Sequence, residues 1–216
     1  MNNIAVIFDL DGVLVDSNPY HKQTWKKFCE RHDIEITDEL LEKEVFGRTG
    51  DESLPILFNK PLHREELTAY NEEIDGMFRQ YFVQELQPVK GLVDFLENLK
   101  QENIPVAVAT SAPPENIVAV MAQTGLGRYF DTIVDKTQIT KGKPNPEIYL
   151  KAAALINMQP KDCIVIEDSL AGVQAGLAAG MKVIGVTTTH TPEELNHTNL
   201  VINDFTELTA ARLREI

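Results

Sequence analysis

Ile4 to Phe8 form an uninterrupted apolar run, IAVIF, closed by an acidic residue. A short unbroken run of this kind predicts a strand buried on both faces. From about Asn18 to Leu86 the pattern changes to helical period and high charge. Asn18 and Pro19 suit a helix start, and Tyr20, Trp25 and Phe28 recur at spacings that share one face. Leu40, Leu41 and Val45 repeat the pattern before Phe46-Gly47-Arg48-Thr49-Gly50 breaks it. A further helix is predicted over Arg64 to Phe82, with Leu67, Tyr70, Ile74, Phe78 and Phe82 as its apolar stripe.

After Pro88 and Gly91 helical and extended patterns alternate. Val93, Leu96 and Leu99 mark a helix, Pro105 to Ala109 a strand, Ile117 to Met121 a helix and Thr132 to Val134 a short strand. Ile148 to Ile156 reads as helical and Cys163 to Ile166 as a buried strand. Gly172 to Ala179 reads as a helix stopped by Gly180, and Val183 to Val186 as another strand. Thr191, Pro192 and Glu194 match a capping box opening a short helix. Such alternation predicts an α/β fold, a doubly wound parallel sheet with a Rossmann-like core, formed by residues 1–17 and 87–216. Residues 18–86 are the expected inserted α-helical cap domain.

In such sheets ligands bind outside the carboxyl ends of the strands, and polar residues follow several predicted strands here. Asp9 and Asp11 in DLDGVLV follow the first, Thr110 and Ser111 follow PVAVA, Glu167 and Asp168 follow CIVI, and Lys143 lies in the loop TKGKPNP. In an extended segment residues i and i+2 face the same side, so Asp9 and Asp11 can address one point. Two carboxylates held together call for a cation, and Mg²⁺ prefers a few carboxylate oxygens with water and phosphate. The pair therefore suggests metal-assisted phosphate chemistry, although an isolated pair also occurs as a turn or helix cap closing a strand.

The 216 residues are 43% hydrophobic, enough for a substantial core. Lys and Arg number 20 against 33 Asp and Glu, a formal charge of −13, and no basic block interrupts the acidity. Nucleic acid and anionic membrane are thus not expected partners. No stretch approaches the roughly 20 apolar residues of a membrane span and no cationic leader region is present, so a cytoplasmic location is expected. Cys29 and Cys163 stand far apart with no metal-ligand spacing and read as small buried residues. Nothing specifies an oligomer, and a monomer is the expectation.

Taken together, DLDGVLVDS, ATS, KGKPNPEIYL and VIEDSLAGVQAGLAAG resemble, in order, the four motifs of the haloacid dehalogenase-like hydrolase superfamily. DSNPYHKQTW, between the first strand and the cap, is similar to the β-phosphoglucomutase-like branch. The resemblance implies that Asp9 is the nucleophile and a Mg²⁺ ligand, and that Asp11 is the general acid/base with its carbonyl also on the metal. It implies that Thr110 and the Ser111 amide hold phosphoryl oxygens, that Lys143 bridges Asp9 and the phosphate, and that Asp168, with Glu167, completes the metal site. Ala112, His21, Arg48, Glu52 and Ser53 are candidate substrate contacts.

Where the mutase of this branch has a cap arginine, this chain aligns Gly50. Ala112 and Pro114 stand where the mutase has side-chain donors, and no lysine occurs between Arg64 and Arg79. The expected function is therefore a Mg²⁺-dependent phosphatase acting on small phosphate esters, sugar phosphates or pyrophosphate, through an aspartyl phosphate on Asp9. A β-phosphoglucomutase, with Lys43 or Lys60 compensating, is the first alternative. A non-catalytic phosphate-binding protein is the second.

Overall fold

The computed structural model describes residues 4–45 and 49–216. The chain separates into two compact units, one built from the segments up to Asp16 and from Leu86 onward, the other from Ser17–Glu85.

The first unit is built on six parallel strands, β1 (Ala5–Phe8), β2 (Val106–Ala109), β3 (Ile133–Val134), β4 (Cys163–Glu167), β5 (Lys182–Val186) and β6 (Leu200–Ile202), in the order β3-β2-β1-β4-β5-β6. The chain winds outward from β1 to β3, then crosses back to β4 on the other side of β1. This reversal creates the crevice in which doubly wound sheets bind ligands. Phe8 pairs with Val108 on one side and Ile166 on the other, so the ends of β1, β2 and β4 are level.

Alternate residues of β1 serve opposite faces. Ala5 and Ile7 pack in a cluster with Tyr149 and Ala152 of α7 (Glu147–Leu155) and Val173 and Ala175 of α8 (Leu170–Ala178). Phe8 faces Phe95 of α5 (Leu92–Gln101), Phe130 and Phe205, with ring centroids 6.3, 5.7 and 6.2 Å away. The remaining helices of this unit are α6 (Pro114–Thr124) and α9 (Ala210–Leu213).

The second unit contains α1 (Asn18–Arg31), α2 (Asp38–Glu44), α3 (Gly50–Leu57) and α4 (Arg64–Tyr81). Phe28, Leu41, Leu54, Ile74 and Met77 form its own core, against which Trp25 and Tyr70 pack. Of the α4 stripe, Ile74 and Phe78 are buried, while Leu67 and Tyr70 are partly so.

Some elements depart from the sequence pattern. Residues 192–197 form turns and not the helix expected after Thr191. The reciprocal capping bonds do form, Thr191 N donating to Glu194 Oε2 (2.9 Å) and Glu194 N to Thr191 Oγ1 (3.4 Å). Leu195 is the only buried residue in that stretch, and one anchor gives a new helix no apolar face to propagate against. Helix α3 begins where the sequence pattern was expected to break. A Thr49–Glu52 capping box opens it, and Pro55 lies inside it. Strand β6 and helix α9 are three and four residues long, too short to leave a periodicity.

Candidate active site

Asp9 leaves β1 with its amide donating to the carbonyl of Ile166 (3.1 Å), which ties the end of β1 to β4. Gly12 takes φ 75°, a left-handed value at which a side chain would be strained. The chain folds back there, Gly12 N donating to Val15 O (2.7 Å), and Thr188 Oγ1 donates to Gly12 O (2.5 Å). The DLDG segment is thereby fixed both to its own turn and to the loop after β5.

Lys143 crosses from the loop before α7 to the same edge. Its Nζ lies 2.7 Å from Asp9 Oδ1 and 2.6 Å from Glu167 Oε1, and all three side chains are largely buried. The Lys143–Pro144 peptide is cis. Glu167 also accepts from the buried Tyr149 hydroxyl on Oε1 (2.6 Å), and on Oε2 from Asp168 N, Ser169 N and Ser169 Oγ, each at 3.0 Å. Five donors thus meet a carboxylate that offers about four lone-pair sites. Glu167, expected beside Asp168 on the metal, spends both oxygens holding Lys143, Tyr149 and the start of α8. Asp168 Oδ2 accepts from the Thr189 hydroxyl.

One ammonium faces three buried carboxylates. Burial is the largest influence on each group. It pushes Asp9 well above the usual carboxylate range, with Lys143 opposing and Glu167 and Asp168 adding to the rise. Burial, then the charge of Glu167, pushes Asp168 up to about 7, with Asp11 contributing in the same direction. For Lys143 burial acts downward, yet Asp9 and Glu167 outweigh it and hold the ammonium charged. For Glu167 burial acts upward, and Lys143 outweighs it to leave the carboxyl below its ordinary value. Lys143 and Glu167 are therefore the settled ion pair. Asp9 and Asp168 are short of positive charge.

Oxygens of Asp9, Glu167 and Asp168 lie within 4.8 Å of one another. With Glu167 paired to Lys143, the oxygens of Asp9 and Asp168 are the ones left short of positive charge, and hard oxygens of that kind fit Mg²⁺. Asp11, which senses Asp168 electrostatically, forms a bridge with Val15 at the same turn.

Thr110 is buried at the end of β2, and its Oγ1 accepts from Ala112 N (3.0 Å). Among the described residues its hydroxyl hydrogen has no acceptor and can donate. Ser111 is exposed, and α6 has no side-chain cap, so Ser111 is not spent as a helix cap.

The expected cap contacts lie in the helical unit. His21 stacks on Phe78 (4.2 Å, 10° between planes). Glu52 receives Thr49 N and Oγ1 at 2.9 and 3.0 Å. Ser53 is fully buried, with no hydrogen-bond partner for its Oγ among the described residues. Arg48 lies outside the described residues. At Gly50 a side chain would run into the Asn71 amide, which donates to Asp51 Oδ1 (2.7 Å).

Tyr149, Ser169, Thr188 and Thr189 join the site without having been singled out from sequence. The strand-end logic that picks Thr110 also reaches Thr187 to Thr189 after β5. Ser169 carries a helix-cap signature, and its Oγ does accept from Gly172 N (3.1 Å). Tyr149 reads only as one more apolar position of a helix.

A "Phosphorylated carbohydrates phosphatase" of Thermotoga maritima is 33% identical over 83% of this chain and 83% of its own length. The "Beta-phosphoglucomutase" of Bacillus subtilis is 34% identical over 98% of this chain and 94% of its own. Among solved structures, a HAD hydrolase, family IA, variant 3, from Entamoeba histolytica superposes with a TM-score of 0.93 at 30% identity, covering 98% of both chains. The family profile described as haloacid dehalogenase-like hydrolase matches residues 6–186, and the chain belongs to that family.

Proposed function

We propose that the protein is a Mg²⁺-dependent phosphatase of small phosphate esters, sugar phosphates among them, and that it works through an aspartyl phosphate on Asp9. The observation that carries this reading is Lys143 Nζ held between Asp9 Oδ1 (2.7 Å) and Glu167 Oε1 (2.6 Å) at the switch point of the sheet, with Asp168 at the same edge. The phosphatase named for phosphorylated carbohydrates supports the substrate class.

Asp9 and Asp168, with the Asp11 carbonyl, would hold the ion, and Glu167 would act as the anchor of Lys143. Bound there, Mg²⁺ supplies positive charge against the repulsion between an anionic nucleophile and a phosphate dianion. Lys143 adds a fixed ammonium on the nucleophile's side. The Thr110 hydroxyl and the Ser111 amide orient the phosphoryl oxygens. A carboxylate oxygen of Asp9 bonds to phosphorus as the ester P–O bond breaks, and Asp11 gives its proton to the departing oxygen. Water then attacks phosphorus, Asp11 takes a proton from it, and the Asp9–phosphorus bond breaks to release phosphate.

A second reading, the mutase, draws on the similarity to the B. subtilis protein. It requires a second phosphate to be held while water is excluded. Ala112 and Pro114 present no side-chain donors, and Gly50 carries no side chain at all. Each missing charged hydrogen bond would cost about 1.5–3 kcal/mol, which favours the hydrolase.

Phosphate release from a sugar-phosphate panel with Mg²⁺ tests the proposal. Asp9→Asn should abolish release, and release unchanged in that variant would refute the nucleophile assignment. Supplied with β-glucose 1-phosphate and a trace of the bisphosphate, the protein should yield free phosphate. Predominant glucose 6-phosphate would establish the mutase instead.

A further inference from the structure

Tyr149 is fully buried against the sheet, and its hydroxyl ends on Glu167 Oε1 at 2.6 Å. A phenylalanine would fill nearly the same volume and would bring no polar group needing a partner inside the core. The hydroxyl is directed at the oxygen that also receives the Lys143 ammonium at 2.6 Å. The Tyr149 ring lies beneath the same ammonium, with Nζ 5.1 Å from its centroid. That is within the roughly 6 Å range of a cation–π contact.

We propose that Tyr149 is a positioning residue for Lys143: its hydroxyl fixes the Glu167 oxygen against which the ammonium rests, and its ring supports the ammonium from below. A lysine reaches its target through four rotatable bonds, so its aim depends on the groups around Nζ. Asp9 Oδ1 is the reacting group in the proposed chemistry and changes charge during turnover. Glu167 is the fixed member of the pair, locked at Oε2 by Asp168 N, Ser169 N and Ser169 Oγ and at Oε1 by Tyr149. The hydroxyl is therefore the contact that keeps Oε1 turned toward the lysine while Asp9 carries the phosphoryl group. The inference rests on the proposed function for its catalytic consequence but not for the contact itself.

The decisive variant is Tyr149→Phe, which keeps the ring and deletes the hydroxyl. A hydrogen bond to a charged group is typically worth about tenfold or more. The expected result is a loss of about tenfold in kcat with KM within about twofold, because the ammonium is needed most where charge develops. Tyr149→Leu, which also removes the ring, should lose more. A double-mutant cycle in kcat isolates the coupling: Tyr149→Phe lowers kcat in the wild-type background and adds nothing to Lys143→Met. An equal loss in both backgrounds means a merely structural tyrosine and overturns the proposal, as does an unchanged kcat.

A readout without turnover or metal comes from lysine ¹⁵N NMR in chelator. The Lys143 ammonium should give a slowly exchanging resonance that broadens in Tyr149→Phe, and an unchanged resonance overturns the proposal. Should that variant not fold, the wild-type protein decides: a slowly exchanging Tyr149 hydroxyl proton with a cross-peak to Lys143 supports the assignment, and fast exchange overturns it. Absence of phosphate release and of phosphate binding in the wild type would sink the phosphatase reading while leaving the NMR result to judge Tyr149.

Discussion

Lys143 carries two duties that are usually separate, neutralising a buried anion and facing Asp9, the proposed nucleophile. Its side chain is 9% exposed, Glu167 is wholly enclosed, and no other cation is seen bonded to that carboxylate among the described residues. Lys143→Met should therefore lower kcat by about 10²- to 10³-fold, as removal of a charge-stabilising donor does. It should also leave a buried charge uncompensated, at a cost of about 3–5 kcal/mol. Chemical denaturation in chelator checks the second effect, and added Mg²⁺ should recover part of it. The cysteines give a pH test at the same scale. Burial pushes both thiols from an ordinary 9.0 up to about 11. A folded pKa above the unfolded one means that the folded state binds the proton more tightly. Stability should then be flat below the unfolded pKa and fall as pH rises toward 11, and Cys29→Ala with Cys163→Ala should flatten that slope in urea melts. Native protein at pH 8 should resist alkylation.

Among elements, α8 is the one most closely coupled to the proposed chemistry. Its N-terminus holds the Glu167 carboxylate through Ser169, and Gly172 in its first turn lies against that carboxylate so closely that a Cβ would overlap it. Gly172→Ala, a favourable change in most helices, should here displace Glu167, and through it Lys143, with a measurable fall in both kcat and melting temperature. The same element shows what sequence can carry. The β4 run CIVI and its acidic end were legible because a buried parallel strand is continuous and its carboxyl end faces the crevice. Asp9, Thr110 and Asp168 could be proposed for one edge on that ground, and Lys143 through the motif KGKPNP that carries it. The proposed division of labour between Glu167 and Asp168 was not legible, since it depends on which of two adjacent carboxylates turns inward to the Ser169 amide. Tyr149 escaped because an apolar period counts its ring and ignores its hydroxyl. The Thr191 box was misleading because a cap can form at a turn that has no helix behind it.

At the scale of the molecule, a chain of net charge −13 is proposed to capture a dianion. Long-range repulsion should oppose the approach, and the local charge of Lys143 and the bound ion act only at close range. With Mg²⁺ saturating, kcat/KM for a sugar phosphate should rise as ionic strength increases from about 10 to about 150 mM, because screening shortens the reach of the repulsion to about 8 Å. A fall over that range would mean that a positive field dominates the approach. The two units also divide the protein optically. Trp25, the only tryptophan, is half-buried and stands edge-on to Phe28 (5.9 Å, 80°) against the core of the helical unit, while Asp9, Lys143 and Asp168 belong to the other. The indole is thus an observer native to one half of the molecule, and its emission gives a label-free view of the helical unit during a titration whose bond-making belongs elsewhere. Comparing the emission changes caused by inorganic phosphate and by a sugar phosphate would separate capture of the phosphoryl group from engagement of the group it leaves behind.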